Sequence, residues 1–201
     1  MPVTIQYFFA PQSPWAYIGH RRFWDLARQH GATIEVLPVD LGGKVFPLSG
    51  GLPLGKRAPQ RQAYRLVELK RFSEHLQVPL NLQPKHFPVS GDAAAKLIIA
   101  VDQHHGPQAA MELTGAVLRA VWSEERDIAA DATLAALLED CRRPAGRLDD
   151  SRAQDVADRY GAYTQRAIDA GVFGAPSFVI EGEIFWGQDR LDFVERRLGA
   201  A

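Results

Sequence analysis

Three short segments carry groups able to do chemistry together. The first is Ser13-Pro14-Trp15-Ala16. Serine is a favoured N-cap and proline a favoured first helical residue, so a helix begins here with a hydroxyl at its mouth. The unpaired N–H groups and positive dipole end of such a helix suit an anion, and a bound thiolate is one candidate. An N-cap role alone also accounts for Ser13. The second segment is Phe173-Gly174-Ala175-Pro176-Ser177. A cis Ala175-Pro176 bond would leave the N–H and C=O of Ala175 to pair with an extended, peptide-like ligand, whereas a trans proline would simply open a strand. The third is Trp186-Gly187-Gln188-Asp189-Arg190-Leu191. Gln188 and nearby helix N-terminal amides can hold a carboxylate, and Asp189 an ammonium. A capped surface helix explains Asp189 but leaves Gln188 and Arg190 without a reason.

Other chemistries lack their residues. Cys141 is the single cysteine, so dithiol chemistry, an intrachain disulfide and a cysteine zinc site are all excluded. It falls on the apolar stripe of its helix and reads as a buried, inert thiol. His104-His105 closes a helix, the other histidines are scattered, and no metal site is expected. Trp15, Phe173 and Trp186 either line an aromatic-substrate pocket or belong to the core. Lys plus Arg number 23 against 24 Asp plus Glu, a net charge of −1, which argues against nucleic-acid or membrane-surface binding. No apolar run approaches the ~20 residues of a membrane span. Met1 to Tyr7 has no basic start, apolar leader core or cleavage site, which predicts a cytoplasmic protein.

The elements that must position these segments follow from periodicity. Val3 to Phe9 is β-branched and aromatic, a buried strand; the helix from Ser13 ends at His30-Gly31; Thr33 to Val39 is a second strand, parallel to the first by a right-handed crossover. Residues 42–59 are rich in glycine and proline and read as a loop bearing Lys44, Lys56 and Arg57. Helices then follow. One starts at Pro59 with Tyr64, Val67, Leu69, Phe72 and Leu76 as its apolar face, others at Asp92 and Pro107, one capped by Asp131, and one capped by Ser151. Ser177 to Ile180 and Ile184 to Trp186 form a hairpin, and Asp189 caps a final helix. The order βαβ, helices, ββα is an α/β, thioredoxin-type fold with an inserted all-helical domain: residues 1–45 and 170–201 form the thioredoxin-like part, and 46–169 the loop and helical insertion. With 46% hydrophobic residues in a chain of 201, the core is amply supplied.

Phe8-Phe9-Ala10-Pro11-Gln12-Ser13-Pro14-Trp15, Val172-Phe173-Gly174-Ala175-Pro176 and Phe185-Trp186-Gly187-Gln188-Asp189-Arg190-Leu191 together resemble the 2-hydroxychromene-2-carboxylate isomerase family, whose relatives include the kappa-class glutathione transferases. The resemblance spans essentially the whole chain. It implies a glutathione-dependent cis–trans isomerase acting on a small aromatic 2-oxo acid, with glutathione as cofactor and a homodimer as the assembly. By the same resemblance Ser13 is the catalytic serine, its hydroxyl on the glutathione sulfur. Trp15 and Pro176 belong to the glutathione site, the main chain of Ala175 pairs with the cysteinyl part, and Gln188 and Asp189 hold the γ-glutamyl end. Arg61 is assigned to glutathione, and Lys44 and Lys56 to the acidic substrate. A kappa-type transferase or peroxidase, using the same thiolate, is the alternative activity. A third reading is a binding or folding factor without chemistry. Glutathione affinity separates it from the first two.

Overall fold

A computed structural model describes residues 2–200. Its centre is a four-stranded sheet of order β2-β1-β3-β4, built from β1 (Thr4–Phe9), β2 (Thr33–Pro38), β3 (Ser177–Ile180) and β4 (Glu183–Trp186). β1 and β2 are parallel, joined through α1 (Pro14–Gln29), and the other pairings are antiparallel. Alternation along the central strand fills both faces. Ile5, Tyr7 and Phe9 point to one cluster, which holds Phe23 of α1 and Val194 of α8 (Leu191–Gly199), while Phe8 points to the other. Tyr7 is the hub of the first face, stacked 4.6 Å from Phe9 and 5.5 Å from Phe178 and tilted 4.8 Å from Phe23. Each such pair adds about 0.5–1.5 kcal/mol beyond its buried area. Opposite, Phe8, Leu37 and Val179 pack on Ala167 of α7 (Gln154–Asp169).

The helices between the strands are α2 (Phe46–Ser49), α3 (Pro59–Leu76), α4 (Asp92–Trp122), α5 (Asp131–Asp140) and α6 (Arg147–Asp150), followed by α7. Gly106, at φ 80°, breaks α4 just before Pro107, so it is two helical arms meeting at the point the sequence marks. Among the described residues no helix is long and apolar enough to cross a membrane.

Several local expectations are corrected. Residues 42–59 are not plain loop: Leu41–Val45 is a π turn held by Asp40, whose carboxylate accepts from Gly43 N at 2.7 Å, and α2 and a 3-10 turn at Leu54–Lys56 follow. Tyr64 and Val67 are exposed, and Leu69 alone on α3 is fully buried. Ser151 does not cap α7; its hydroxyl donates back to Leu148 O at 2.6 Å, and Ala153 takes the N-cap position. Ala130 rather than Asp131 precedes α5, and Asp189 lies inside a 3-10 turn (Gln188–Arg190) entered from Gly187. Cys141 is half-buried at the C-cap of α5, and that burial, with Glu112 nearby, raises its thiol pKa.

Candidate active site

The strand directions bring the three segments together. β1 ends at Phe9 and delivers Ser13; Phe8 faces Ser177 across the antiparallel pair, so β3 begins beside it; and Ser177 faces Trp186, so β4 ends there too. β2 runs parallel to β1 and pairs Pro38 with Phe9, which brings Lys44's π turn out of the same end of the sheet.

Ser13 has extended backbone (φ −77°, ψ 123°) and its Oγ accepts from Ala16 N at 3.2 Å, the N-cap geometry that its position before Pro14 predicts. Its side chain is buried, its N–H is spent on Ala10 O at 2.9 Å, and its own O–H proton goes to no acceptor among the described residues. The first turn of α1 contains no acidic residue, so nothing there offsets the positive end of the helix dipole. A donor hydroxyl and a bare helix start favour whatever negative charge is placed against them.

The walls fix that turn. Trp15 meets Phe72 of α3 edge-on at 5.9 Å, and Tyr17 donates to Pro79 O at 2.5 Å. Gln12 lies against Gly91, where an added Cβ would fall 2.1 Å from Gln12 Oε1, so a larger residue would push the Gln12 amide aside. That oxygen is buried with no partner among the described residues.

The Ala175–Pro176 peptide is cis, the conformation of the two open to it that frees the Ala175 backbone. The loop is tied by Ser177 Oγ to Gly174 O and by Gly187 N to Pro176 O, both at 2.9 Å, while neither the N–H nor the C=O of Ala175 is used among the described residues. Gly174 lies under the Trp186 indole, 2.2 Å from Nε1 to an added Cβ. Phe173 and Trp186 form an exposed edge-on pair at 4.8 Å, so they are neither of them core.

Gln188 is buried, its Cβ against Gly19 of α1, and its Oε1 accepts from Arg22 Nη1 at 3.1 Å. What Gln188 and Asp189 hold open are the backbone N–H groups that begin their 3-10 turn. The Asp189 carboxylate is half-exposed and paired with Arg190 at 2.9 Å. Lys44 and Lys56 are exposed on their short turns, and Arg61 is exposed on the first turn of α3. None of the three has a carboxylate within ion-pair distance among the described residues. Sequence reasoning missed Gln12 with Gly91, Arg22, and the partial burial of Arg57 and Arg65. Only the arginines left a signal: from Leu41 to Val67 the chain has five cations and no carboxylate.

The chain matches the DSBA-like thioredoxin domain family over residues 4–199. A 2-hydroxychromene-2-carboxylate isomerase of Sphingobium xenophagum is 30% identical, with 98% of this chain and 99% of that protein aligned. The chain belongs to the 2-hydroxychromene-2-carboxylate isomerase family. A solved structure of a 2-hydroxychromene-2-carboxylate isomerase shares its fold, with a TM-score of 0.82 at 23% identity over 98% of this chain and 95% of that one. The cytosolic disulfide reductase DsbM of Pseudomonas aeruginosa, solved with GSH, also shares the fold, with a TM-score of 0.68 at 17% identity over 98% of this chain and 100% of that one. In this isomerase-family chain the start of α1 reads Ser13-Pro14-Trp15-Ala16, with no sulfur available for disulfide exchange.

Proposed function

We propose that this chain is a glutathione-dependent cis–trans isomerase of a small aromatic 2-oxo acid, of the 2-hydroxychromene-2-carboxylate isomerase type. The observation that carries the reading is Ser13: a buried hydroxyl whose proton meets no acceptor among the described residues, at a helix start without acidic residues. The family supplies the reaction class, and a reductase of the same fold solved with GSH supports the choice of thiol.

The residues present fit glutathione. The unused N–H and C=O of Ala175, beside Pro176, suit its peptide-like middle, and the open amides of Gln188 and Asp189 suit its α-carboxylate. The Asp189 carboxylate suits its ammonium, exchanging Arg190 for the ligand, and Arg61 its other carboxylate. Bound there, glutathione supplies a thiolate, which adds reversibly to a conjugated double bond, frees it to rotate, and departs unchanged. Ser13 donates to the sulfur and, with the helix dipole, lowers a thiol pKa from its ordinary ~8.5 toward neutrality. Trp15 forms one wall of the thiol's surroundings, braced by Phe72. Lys44 and Lys56 orient the acidic substrate by long-range attraction, and the reaction calls on no metal ion. The family resemblance further supports a cytoplasmic homodimer.

The test follows 2-hydroxychromene-2-carboxylate spectrophotometrically with and without glutathione, while free thiol is assayed in parallel. Turnover that needs glutathione and leaves it unconsumed is the expected result. Stoichiometric loss of thiol would instead mark a transferase, and equal turnover without glutathione would overturn the reading.

A further inference from the structure

The chain is nearly neutral overall, yet its positive charge is segregated. Between Asp40 and Glu68 stand Lys44, Lys56, Arg57, Arg61 and Arg65 with no carboxylate among them. Arg61 and Arg65 stand about one turn apart on α3, and Arg57 lies two residues before its start in extended backbone, near enough for its charge to be felt at Arg65. Two are partly buried. Arg57 donates from Nε to Leu52 O at 2.8 Å and lies 6.0 Å from the Phe46 ring. Arg65 lies 5.3 Å over Phe87 and 5.7 Å over Trp122, and its guanidinium makes no hydrogen bond or ion pair to any described residue. Burial, then the charge of Arg57, pull the Arg65 pKa down to about 10; burial, then Arg61, lower that of Arg57.

Like charges crowded together and partly stripped of water are unfavourable unless an anion visits them. Phe87 and Trp122 flank the Arg65 guanidinium, and its unpaired N–H groups suit a planar, two-oxygen acceptor, the geometry of a carboxylate. A short segment links Arg65 to the turn that carries Ser13. Phe87, beneath Arg65, opens the stretch leading to Gly91, and Gly91 touches Gln12, the residue before Ser13. Glutathione brings a single carboxylate to this wall, for which Arg61 suffices. The charge left over belongs to the second reactant.

We infer that Arg65, supported by Arg57, is the carboxylate-recognition pair for the electrophilic substrate and makes the enzyme selective for conjugated acids over their neutral analogues. This rests on the isomerase reading above, and it assigns to that site two residues beyond Lys44 and Lys56.

The probe is cinnamate, a planar conjugated acid, against cinnamamide, its neutral isostere. Binding is measured by titration calorimetry with glutathione present, for wild type, Arg65→Gln, Arg65→Lys and Arg57→Gln, and melting curves check the fold. Wild type is expected to bind cinnamate at least tenfold more tightly than cinnamamide. Arg65→Gln should lose about ten- to a hundredfold for cinnamate, the worth of a hydrogen bond to a charged group, and nothing for cinnamamide. Arg65→Lys should recover part of the loss, and Arg57→Gln should show a smaller one. The same variants should bind glutathione within about twofold of wild type. Unchanged cinnamate binding in folded Arg65→Gln overturns the inference; if that variant does not fold, unchanged binding in Arg57→Gln does so. A parallel fall in glutathione affinity overturns it too, by giving the arginines to the thiol. Wild type that binds neither probe, or that yields cinnamate equally to inorganic phosphate, has no carboxylate-selective site. Failure of wild type to bind glutathione at all would sink the isomerase reading instead, and the cinnamate comparison, repeated without glutathione, would still decide Arg65.

Discussion

Gly19→Ala tests how the fold holds the turn proposed for the γ-glutamyl end of glutathione. Gly19 is interior to α1 and faces Gln188, and a Cβ added there would lie 2.7 Å from Gln188 Cβ and 3.4 Å from its Cα. Carbon–carbon contacts settle near 3.5–4.0 Å, so the helix and the 3-10 turn must part by roughly 1 Å. Alanine in a helix interior is worth about 0.5–1 kcal/mol over glycine, while overpacking a tight contact costs about 1–3 kcal/mol. The sum is a loss of about 0–2.5 kcal/mol. The displaced turn carries the open amides of Gln188 and Asp189, and a positioning error of this size is enough to weaken a ligand held by them. Gly161, on α7 with nothing within 4 Å of an added Cβ, is the internal control: Gly161→Ala should gain about 0.5–1 kcal/mol and leave the site alone. Chemical denaturation and glutathione titration calorimetry on both variants make the comparison. Gly19→Ala that is stabilised like Gly161→Ala and binds glutathione like wild type would show that the Gly19–Gln188 contact does not position the turn.

His20 supplies a pH test of the core. Burial, outweighing its bond to Met111 O at 3.0 Å, lowers its pKa from 6.5 to about 4. The unfolded chain takes up that proton first, so stability is full above pH 6.5 and falls as pH drops toward 4, by about 1.4 kcal/mol between pH 7.5 and 5.5. His20→Gln should flatten denaturation midpoints across that window, and an unchanged slope would count against the burial argument. Asp189→Asn removes the charge proposed for the ligand's ammonium. As this carboxylate is half-exposed, glutathione affinity should fall only about two- to fivefold with little change in melting temperature. Equal affinity in calorimetry would refute that role.

The sheet and its neighbours were legible because their signals are strong and local. The β-branched and aromatic run of β1, the Ser13-Pro14 helix start, the Glu181-Gly182 turn of the hairpin and the Gly106-Pro107 break each stand in the structure where the residues put them. The convergence of Ser13, Ala175 and Gln188 follows from strand order, so it too could be reasoned out. What periodicity could not show is which apolar residues find a partner. Tyr64 and Val67 lie on a helix stripe yet stay exposed, Tyr64 meeting only the Arg71 guanidinium at 6.0 Å among the cations, while Leu69 is sealed. Nor could it show competition for a side chain. Ser151 has an acceptor closer than the N-cap role, and Gln188 is turned inward to Arg22 after Gly187 at φ 107° redirects the chain. The partial burial of Arg65 depends on Phe87 and Trp122, which are distant from it in sequence.

The proposed mechanism turns on Ser13 stabilising a bound thiolate. A hydrogen bond to a charged group is worth about 1.5–3 kcal/mol, which is about one to two pKa units. Ser13→Ala also loses the cap bond to Ala16 N, at ~1 kcal/mol of stability, so the variant should remain folded. The measurement is the ultraviolet thiolate absorbance of bound glutathione against pH, for wild type and Ser13→Ala, with isomerisation rates alongside. Wild type should titrate one to two units below the variant, and the variant should turn over more slowly while still binding glutathione through Ala175, Gln188 and Asp189. Identical titration curves with identical turnover would reduce Ser13 to a helix cap and contradict the mechanism.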